Sequence, residues 1–294
     1  MATRSTMAPP RAEFHQLETL WFQISGTLCN LRCAHCFISC APDNHSLELM
    51  DTEQVFAYLD EARRLGVKEI YYTGGEPFVH RDLMRILERT LRDFPTSVLT
   101  NGLLINEKRA DELGRMALNS RYSLEIRISL DDFDEQRNNA VRGKGTYRKV
   151  LSVYKRLYKR GFLPILTVTE IRSYLHPRES DIGQYQKYVD LLKSVGVDRP
   201  RIKVIPVFEM GMLPAPERPQ YVSPEMMQHF DHSLLQCSAS RIVADGGVYA
   251  CPILVGESQA LMSRESVEEA MRPCDLYHTA CTTCYFTGMT CKNY

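Results

Sequence analysis

No apolar run in this 294-residue chain approaches the roughly 18 residues that a bilayer-spanning helix needs, so a membrane protein is not the expectation. An excess of either charge is missing too. Lys plus Arg total 36 and Asp plus Glu total 36, which leaves no bulk field to draw the chain to nucleic acid or to a membrane surface. Met1–Gln16 lacks the apolar core of a secretory signal, and Pro9 and Pro10 interrupt any amphipathic targeting helix. The reading is a flexible tail over residues 1–18 and a cytoplasmic location. Internal repeats and low-complexity runs are absent. Cysteine, although there are ten, does not occur between Cys40 and Cys237. A disulfide scaffold would spread its cysteines through the loops. Two groups at opposite ends of a chain with no export signal point instead to two metal sites.

Strand-like and helix-like segments alternate from about residue 20 to residue 235. Strand signals fall at Leu20–Ser25, Glu69–Thr73, Ser97–Thr100, Tyr122–Leu130, Leu163–Thr169 and Ile202–Val207. Helical spacing is clearest over Asp51–Leu65, where Val55, Leu59, Ala62 and Leu65 share a face and Gly66 ends it. Further helices are predicted at Arg81–Arg92, Asn106–Leu118, Tyr147–Lys159, Tyr185–Val195 and Pro224–Leu235. Alternation of this kind implies right-handed βαβ units and a parallel sheet. A closed eight-unit barrel usually needs about 250 residues, more than this stretch supplies. The predicted fold is therefore α/β: a partial (β/α)6, TIM-like barrel over residues 19–235 and a small cysteine-rich domain over 236–294. Chemistry in such barrels sits at the C-terminal ends of the strands. Charged residues on inward-facing strand ends, Arg127, Glu170, Lys203 and Glu209, are the candidates for substrate contact.

Cys29-Asn-Leu-Arg-Cys33-Ala-His-Cys36 places three thiols on one tight loop. Three thiolates suit three irons of a [4Fe–4S] cube, whose usual complement is four cysteines, and leave the last iron open to an outside ligand. Zinc is the alternative for such a loop. Structural zinc takes four protein ligands, and the nearest fourth, Cys40, would crowd the loop; Cys40 reads better as a buried or idle thiol. Further on, Thr73-Gly74-Gly75-Glu76-Pro77 ends the second predicted strand. Glycines there let backbone approach a ligand, and a neighbouring carboxylate can bind an ammonium group.

The two motifs together resemble the signature of the radical S-adenosylmethionine (SAM) superfamily. The resemblance implies that SAM chelates the open iron through its amino and carboxylate groups. An electron from the cluster then cleaves SAM to methionine and a 5′-deoxyadenosyl radical, which abstracts a hydrogen atom from substrate. It implies that Gly74, Gly75 and Glu76 hold the SAM amino group, and that His35, at a position usually aromatic, lies near the adenine. Asn101, in Leu99-Thr100-Asn101-Gly102, becomes a polar SAM contact. Ser129, in Arg127-Ile-Ser129-Leu-Asp131, becomes a ribose contact. Asp132 stands where the family often has glycine. The segment from Asp134 to Gly145 resembles a loop of peptide-modifying and cofactor-forming members. Glu170 and Ile205 fall at the usual ribose and adenine regions.

Near the C-terminus, Cys237 and Cys251 bracket Asp245-Gly246-Gly247-Val248-Tyr249, a natural hairpin; Cys281-Thr-Thr-Cys284 follows a helix-like stretch, Val267–Met271. Two ligands from a hairpin and two from a Cys-x-x-Cys turn complete a four-thiolate site. A zinc knuckle has the same spacing. The arrangement resembles the twitch module, the shortened form of the SPASM domain, which implies a second, auxiliary [4Fe–4S] cluster on Cys237, Cys251, Cys281 and Cys284, with Cys274 or Cys291 as substitutes. The resemblance also implies a reductant such as flavodoxin or ferredoxin. For the substrate, oxidation or epimerisation of a small molecule of sugar, cyclitol or aminoglycoside type is ranked first, because nothing before Leu20 is long enough for a winged-helix peptide-recognition domain. Maturation of a ribosomally made peptide is second. A non-enzymatic zinc or iron–sulfur protein is last, since it leaves the Gly-Gly-Glu-Pro turn unexplained.

Overall fold

Every residue from Thr19 to Gln23 is buried, the pattern of a strand covered on both faces of a parallel sheet. The computed structural model describes residues 8–170 and 184–288. Its strands are β1 (Arg11–Ala12), β2 (Thr19–Gln23), β3 (Glu69–Thr73), β4 (Thr96–Thr100), β5 (Leu124–Ser129), β6 (Ile165–Thr169), β7 (Arg201–Ile205), β8 (Ser240–Ala244), β9 (Gly247–Tyr249), β10 (Leu261–Ser263) and β11 (Cys274–Asp275). Strands β2 to β7 lie side by side in sequence order, all parallel. The crossovers carry helices α1 (Thr52–Arg64), α2 (Leu83–Thr90), α3 (Glu107–Asn119), α4 (Glu135–Arg142), α5 (Thr146–Tyr158) and α6 (Gln184–Ser194). One cavity is lined by Trp21 of β2, Thr73 of β3, Leu99 of β4, Arg127 of β5, Thr167 of β6 and Ile205 of β7, so the sheet curves round a shared interior. This is the partial (β/α)6 barrel that the alternation predicts.

Local chemistry starts and stops these elements where expected. Asp51 accepts hydrogen bonds from the Glu53 and Gln54 amides at 2.9 and 3.3 Å, a cap worth about 1 kcal/mol to α1. Val55, Leu59 and Ala62 are its buried face. Asp134 caps α4 in the same way, accepting from the Arg137 amide at 3.0 Å. Among the described residues no helix is long and apolar enough to cross a membrane.

Four expectations need correction. The segment 8–18 is not a free tail: β1 pairs with β11, the Leu276 amide donates to the Pro10 carbonyl at 2.8 Å, and Ala12 and Leu17 are buried. Met1–Met7 lie outside the described residues. The helix predicted over Pro224–Leu235 is only α7 (Pro224–Met227); Asp231 then accepts from the Ser233 amide and starts a separate turn at His232–Leu234, the usual competition of a short acidic side chain with helix continuation. Val267–Met271 is a turn and not a helix: the Ala270 and Met271 amides donate to the Val267 and Glu268 carbonyls three residues back, while the Val267 and Glu268 amides donate to the Glu61 carboxylate of α1. Glu135–Arg142, read as loop, is α4.

The C-terminal cysteine-rich region also joins the barrel's own sheet. β8 runs parallel to β2 and extends the sheet past it, and β9 and β10 follow antiparallel. The hairpin itself forms as predicted, with Asp245-Gly246 at its tip and Gly246 in a left-handed conformation at φ 86°. α8 (Thr279–Thr287) then carries Cys281 and Cys284 on successive turns.

Candidate active site

The cavity at the C-terminal ends of the barrel strands has a volume of about 180 Å³. Cys29, Cys33 and Cys36 line it together with Cys40. Main-chain amides already point at two of these sulfurs: Leu31 N–H donates to Cys29 Sγ at 3.4 Å, and Cys40 N–H to Cys36 Sγ at 3.2 Å. Such bonds favour the thiolate and suit iron–sulfur ligation. Burial pushes the unligated Cys29 thiol up to about 12, whereas the Cys40 side chain, hydrogen-bonded to Cys36, brings that thiol down to about 6. Among the described residues no three His, Cys, Asp or Glu side chains close round a single metal ion. A four-iron cube takes one thiolate per iron and draws its ligands from a wider ring, so a three-thiol loop opening on this cavity fits such a cluster.

The Gly-Gly-Glu-Pro turn faces the same space for a steric reason. A Cβ on Gly75 would stand 2.0 Å from the Leu28 carbonyl oxygen, and one on Gly74 would stand 2.1 Å from Ser25 Oγ. Only glycine lets the end of β3 pack this tightly on the segment leading into Cys29. Glu76 has a different place from the one expected. It is fully buried and accepts from Thr100 Oγ1 at 2.6 Å, the Asn101 amide at 2.7 Å and the Phe78 amide at 3.1 Å. Burial raises its pKa and these donors pull it back down. Gly74, Gly75 and Asn101 line the cavity, while Glu76 stands behind them and ties the end of β3 to the end of β4. Asn101 in turn donates from Nδ2 to Asn30 Oδ1, inside the cysteine loop, at 2.7 Å.

On the opposite rim a buried ion network holds the loop. His35 Nε2 and Asp131 Oδ2 are 2.5 Å apart, and Arg142 Nε is 2.5 Å from the same oxygen. The Thr169 amide donates to Asp131 Oδ1 at 3.3 Å and Tyr188 Oη to the Asp131 carbonyl at 3.0 Å. Burial opposes the Asp131 charge, but Arg142 and His35 overcome it and hold the carboxyl well below the usual range. Burial likewise opposes the Arg142 charge, and Asp131, followed by Cys33, pushes its pKa up. Asp131 thus joins β5, β6, α4 and α6 to the loop that carries the thiols.

His35, Ser129 and Ile205, expected from the resemblance to contact SAM, all line the cavity. Of the four charged candidates for substrate contact, Arg127 alone lines it, with Nη2 donating to Tyr71 Oη at 3.0 Å. Glu170 and Lys203 are not among the lining residues: Glu170 follows Thr169, which lines the cavity, and so has the opposite phase, and Lys203 lies one layer below Ile205. Glu209, past the end of β7, lines a separate open groove of about 800 Å³ that reaches from Phe37–Ser39 to Tyr277–Thr279. Arg142, Trp21, Gln23 and Thr167 line the cavity without having been singled out. A glutamine inside a wholly buried strand was the available signal for Gln23.

In the C-terminal region Cys237, Cys251, Cys281 and Cys284 line one small cavity of about 30 Å³. Cys237 and Cys251 come from the two ends of the hairpin, and Cys281 and Cys284 from one face of α8. Burial pushes Cys281 up to about 12 and Cys251 up to about 11. A hydrogen bond to Cys237 lowers Cys274, which places a fifth thiol in contact with the group. Cys291 lies outside the described residues.

Comparison with known proteins agrees with this geometry. The Radical SAM superfamily profile matches residues 24–192, more than half of the chain. The chain is 26% identical over 187 residues to PqqA peptide cyclase of Granulibacter bethesdensis, covering 63% of this chain and 46% of that protein. It is 26% identical over 188 residues to GTP 3′,8-cyclase of Clostridium botulinum, covering 62% and 54%. The matches span about half the length of these curated relatives. Among solved structures, Streptococcus suis SuiB bound to S-adenosylmethionine superposes with a TM-score of 0.62 at 17% identity, covering 83% of this chain and 62% of that one. anSMEcpe with bound AdoMet gives 0.61 at 15%, covering 86% and 77%. With the three-thiol loop, the glycine turn and the curved parallel sheet in place, the chain belongs to the radical SAM superfamily.

Proposed function

We propose that the chain cleaves SAM reductively at the barrel cavity and carries a second iron–sulfur cluster in its C-terminal cysteine group. The observation behind the first part is that Cys29, Cys33 and Cys36 open on one cavity with Gly74, Gly75, Asn101, Ser129 and Ile205. A cluster bound there supplies the electron that breaks the SAM sulfonium bond and yields the hydrogen-abstracting radical. The protein's part is positional. The three cysteines hold the cluster, the glycine turn and Asn101 meet the methionine end of SAM, and Ser129 and Ile205 meet its nucleoside. Arg142 adds a buried positive charge beside them. A flavodoxin or ferredoxin is the class of reductant that fits.

Two features favour a peptide substrate. A groove of about 800 Å³ lies beside the cysteine loop and reaches from Phe37–Ser39 to Tyr277–Thr279, and a relative whose match covers 63% of the chain is a peptide cyclase. The small-molecule reading ranked first from the sequence keeps one support, the resemblance to GTP 3′,8-cyclase.

Anaerobic reconstitution is expected to give about eight irons per chain for two cubes. Replacing Cys29, Cys33 and Cys36 together with alanine should abolish 5′-deoxyadenosine formation from SAM under a strong reductant; continued cleavage by that variant would falsify the mechanism. Replacing Cys281 and Cys284 should remove about half of the iron and leave cleavage partly intact. A short peptide encoded beside the gene should raise the 5′-deoxyadenosine yield and change in mass. If only small molecules do so, the small-molecule reading holds.

A further inference from the structure

β8 carries a cation where a core residue belongs. Arg241 is fully buried, with its guanidinium carbon 4.3 Å from the centre of the Phe14 ring. Its donors go to main-chain carbonyls. Nε reaches Ala270 at 2.8 Å, Nη1 reaches Cys237 and Ser240 at 2.6 Å and Ala250 at 3.5 Å, and Nη2 reaches Arg272 at 2.5 Å. Three of those five carbonyls lie at Cys237, one residue before Cys251 and two residues before Cys274. A single side chain therefore ties down the backbone at three cysteines of the C-terminal group.

Carbonyl dipoles satisfy the N–H groups but do not cancel the charge. Among the described residues no carboxylate pairs with Arg241. A buried charge without an opposite partner is strongly unfavourable. Neutral thiols do not offset it. Thiolates bound to iron do, because a resting cube with four thiolates carries net negative charge.

We propose that Arg241 is the positioning residue of the C-terminal metal centre: it sets the spacing of the backbone at Cys237 and Cys251, with the Cys274 backbone beside them, and supplies the counter-charge to the metal-bound thiolates. This rests on reading the C-terminal group as an iron–sulfur site. Other members of that group are held by α8, so Arg241 organises one half of the donor set and α8 the other.

The test uses the full chain with Cys29, Cys33 and Cys36 replaced by alanine, so that all remaining iron belongs to the C-terminal centre. With Arg241 present, reconstitution should leave about four irons and an EPR signal on reduction. Arg241→Met should lose most of that iron, a several-fold drop, while the same substitution in the chain with its N-terminal thiols intact keeps about four irons. Arg241→Lys, which retains the charge but cannot span the carbonyls, should keep more iron and show a shifted midpoint potential. Full iron with an unchanged EPR signal and potential in Arg241→Met overturns the proposal. If that variant does not fold, Arg241→Lys decides, and an unchanged potential overturns it. Zinc or no metal in the alanine chain before any arginine change defeats the cluster reading itself, and this proposal with it.

Discussion

Asp131 stands out among single residues because its fully buried carboxylate meets the Arg142 guanidinium, the His35 ring and the Thr169 amide at once. Removing a partner from such a network costs about 3 kcal/mol or more. Asp131→Asn should therefore lower thermal stability clearly at neutral pH. Its folded pKa is depressed, so the contribution is complete above the ordinary carboxylate value, about 4, and fades as pH falls from there through the folded value. Melting curves should show the gap between native and variant chains closing in acid; an equal gap at pH 3 and pH 7 would sink the idea. Gly75→Ala is a steric test. Its Cβ, 2.0 Å from the Leu28 carbonyl oxygen, must displace the strand leading to Cys29, and iron retained by the N-terminal site should fall sharply by colorimetric assay. The three thiols and the glycines were legible from spacing alone. The role of Glu76 was not, since a motif says which residue is there and not which way its carboxylate turns. Asp131 was visible only as a motif member, because His35 lies 96 residues away and Arg142 reaches it from α4, a helix the sequence did not reveal.

Among the elements, the strands of the barrel were readable because buried β-branched and aromatic runs alternate with amphipathic helices. α4 was missed for the same reason in reverse. Its sequence, Glu-Gln-Arg-Asn-Asn-Ala-Val-Arg, has almost no apolar face, and only Asn138, Val141 and Arg142 are buried. The Asp134 cap was the remaining signal. This short helix also delivers Arg142 to the cavity and offers the Val141 carbonyl to the Ala34 amide in the cysteine loop at 2.8 Å. Asp134→Ala should cost about 1 kcal/mol in urea unfolding and weaken SAM binding, measured by calorimetry on the reconstituted protein, without changing the iron held at the C-terminal end. Unchanged SAM affinity would show that α4 does not position Arg142 for the cofactor.

For the molecule as a whole, the division into a barrel and a separate cysteine domain was half legible. The two cysteine groups were visible as separate clusters of thiols, but the continuity of one sheet through β8 could not be read, because a parallel pairing between residues 19–22 and 240–243 leaves no local pattern. Nor could the pairing of β1 with β11, two residues each. Deleting residues 1–14 removes β1 and the Phe14 ring over Arg241. It should cost about half of the iron, all of it from the C-terminal centre, while the N-terminal site keeps its share; iron analysis of the truncated chain with and without its Cys29 group distinguishes the two. The β1–β11 clasp also fixes an order of assembly. During synthesis β1 emerges well before its partner β11, and the pocket near Arg241 stays unroofed until residue 275 has emerged. The late thiols therefore gather under a closed roof only after the early thiols have long been made.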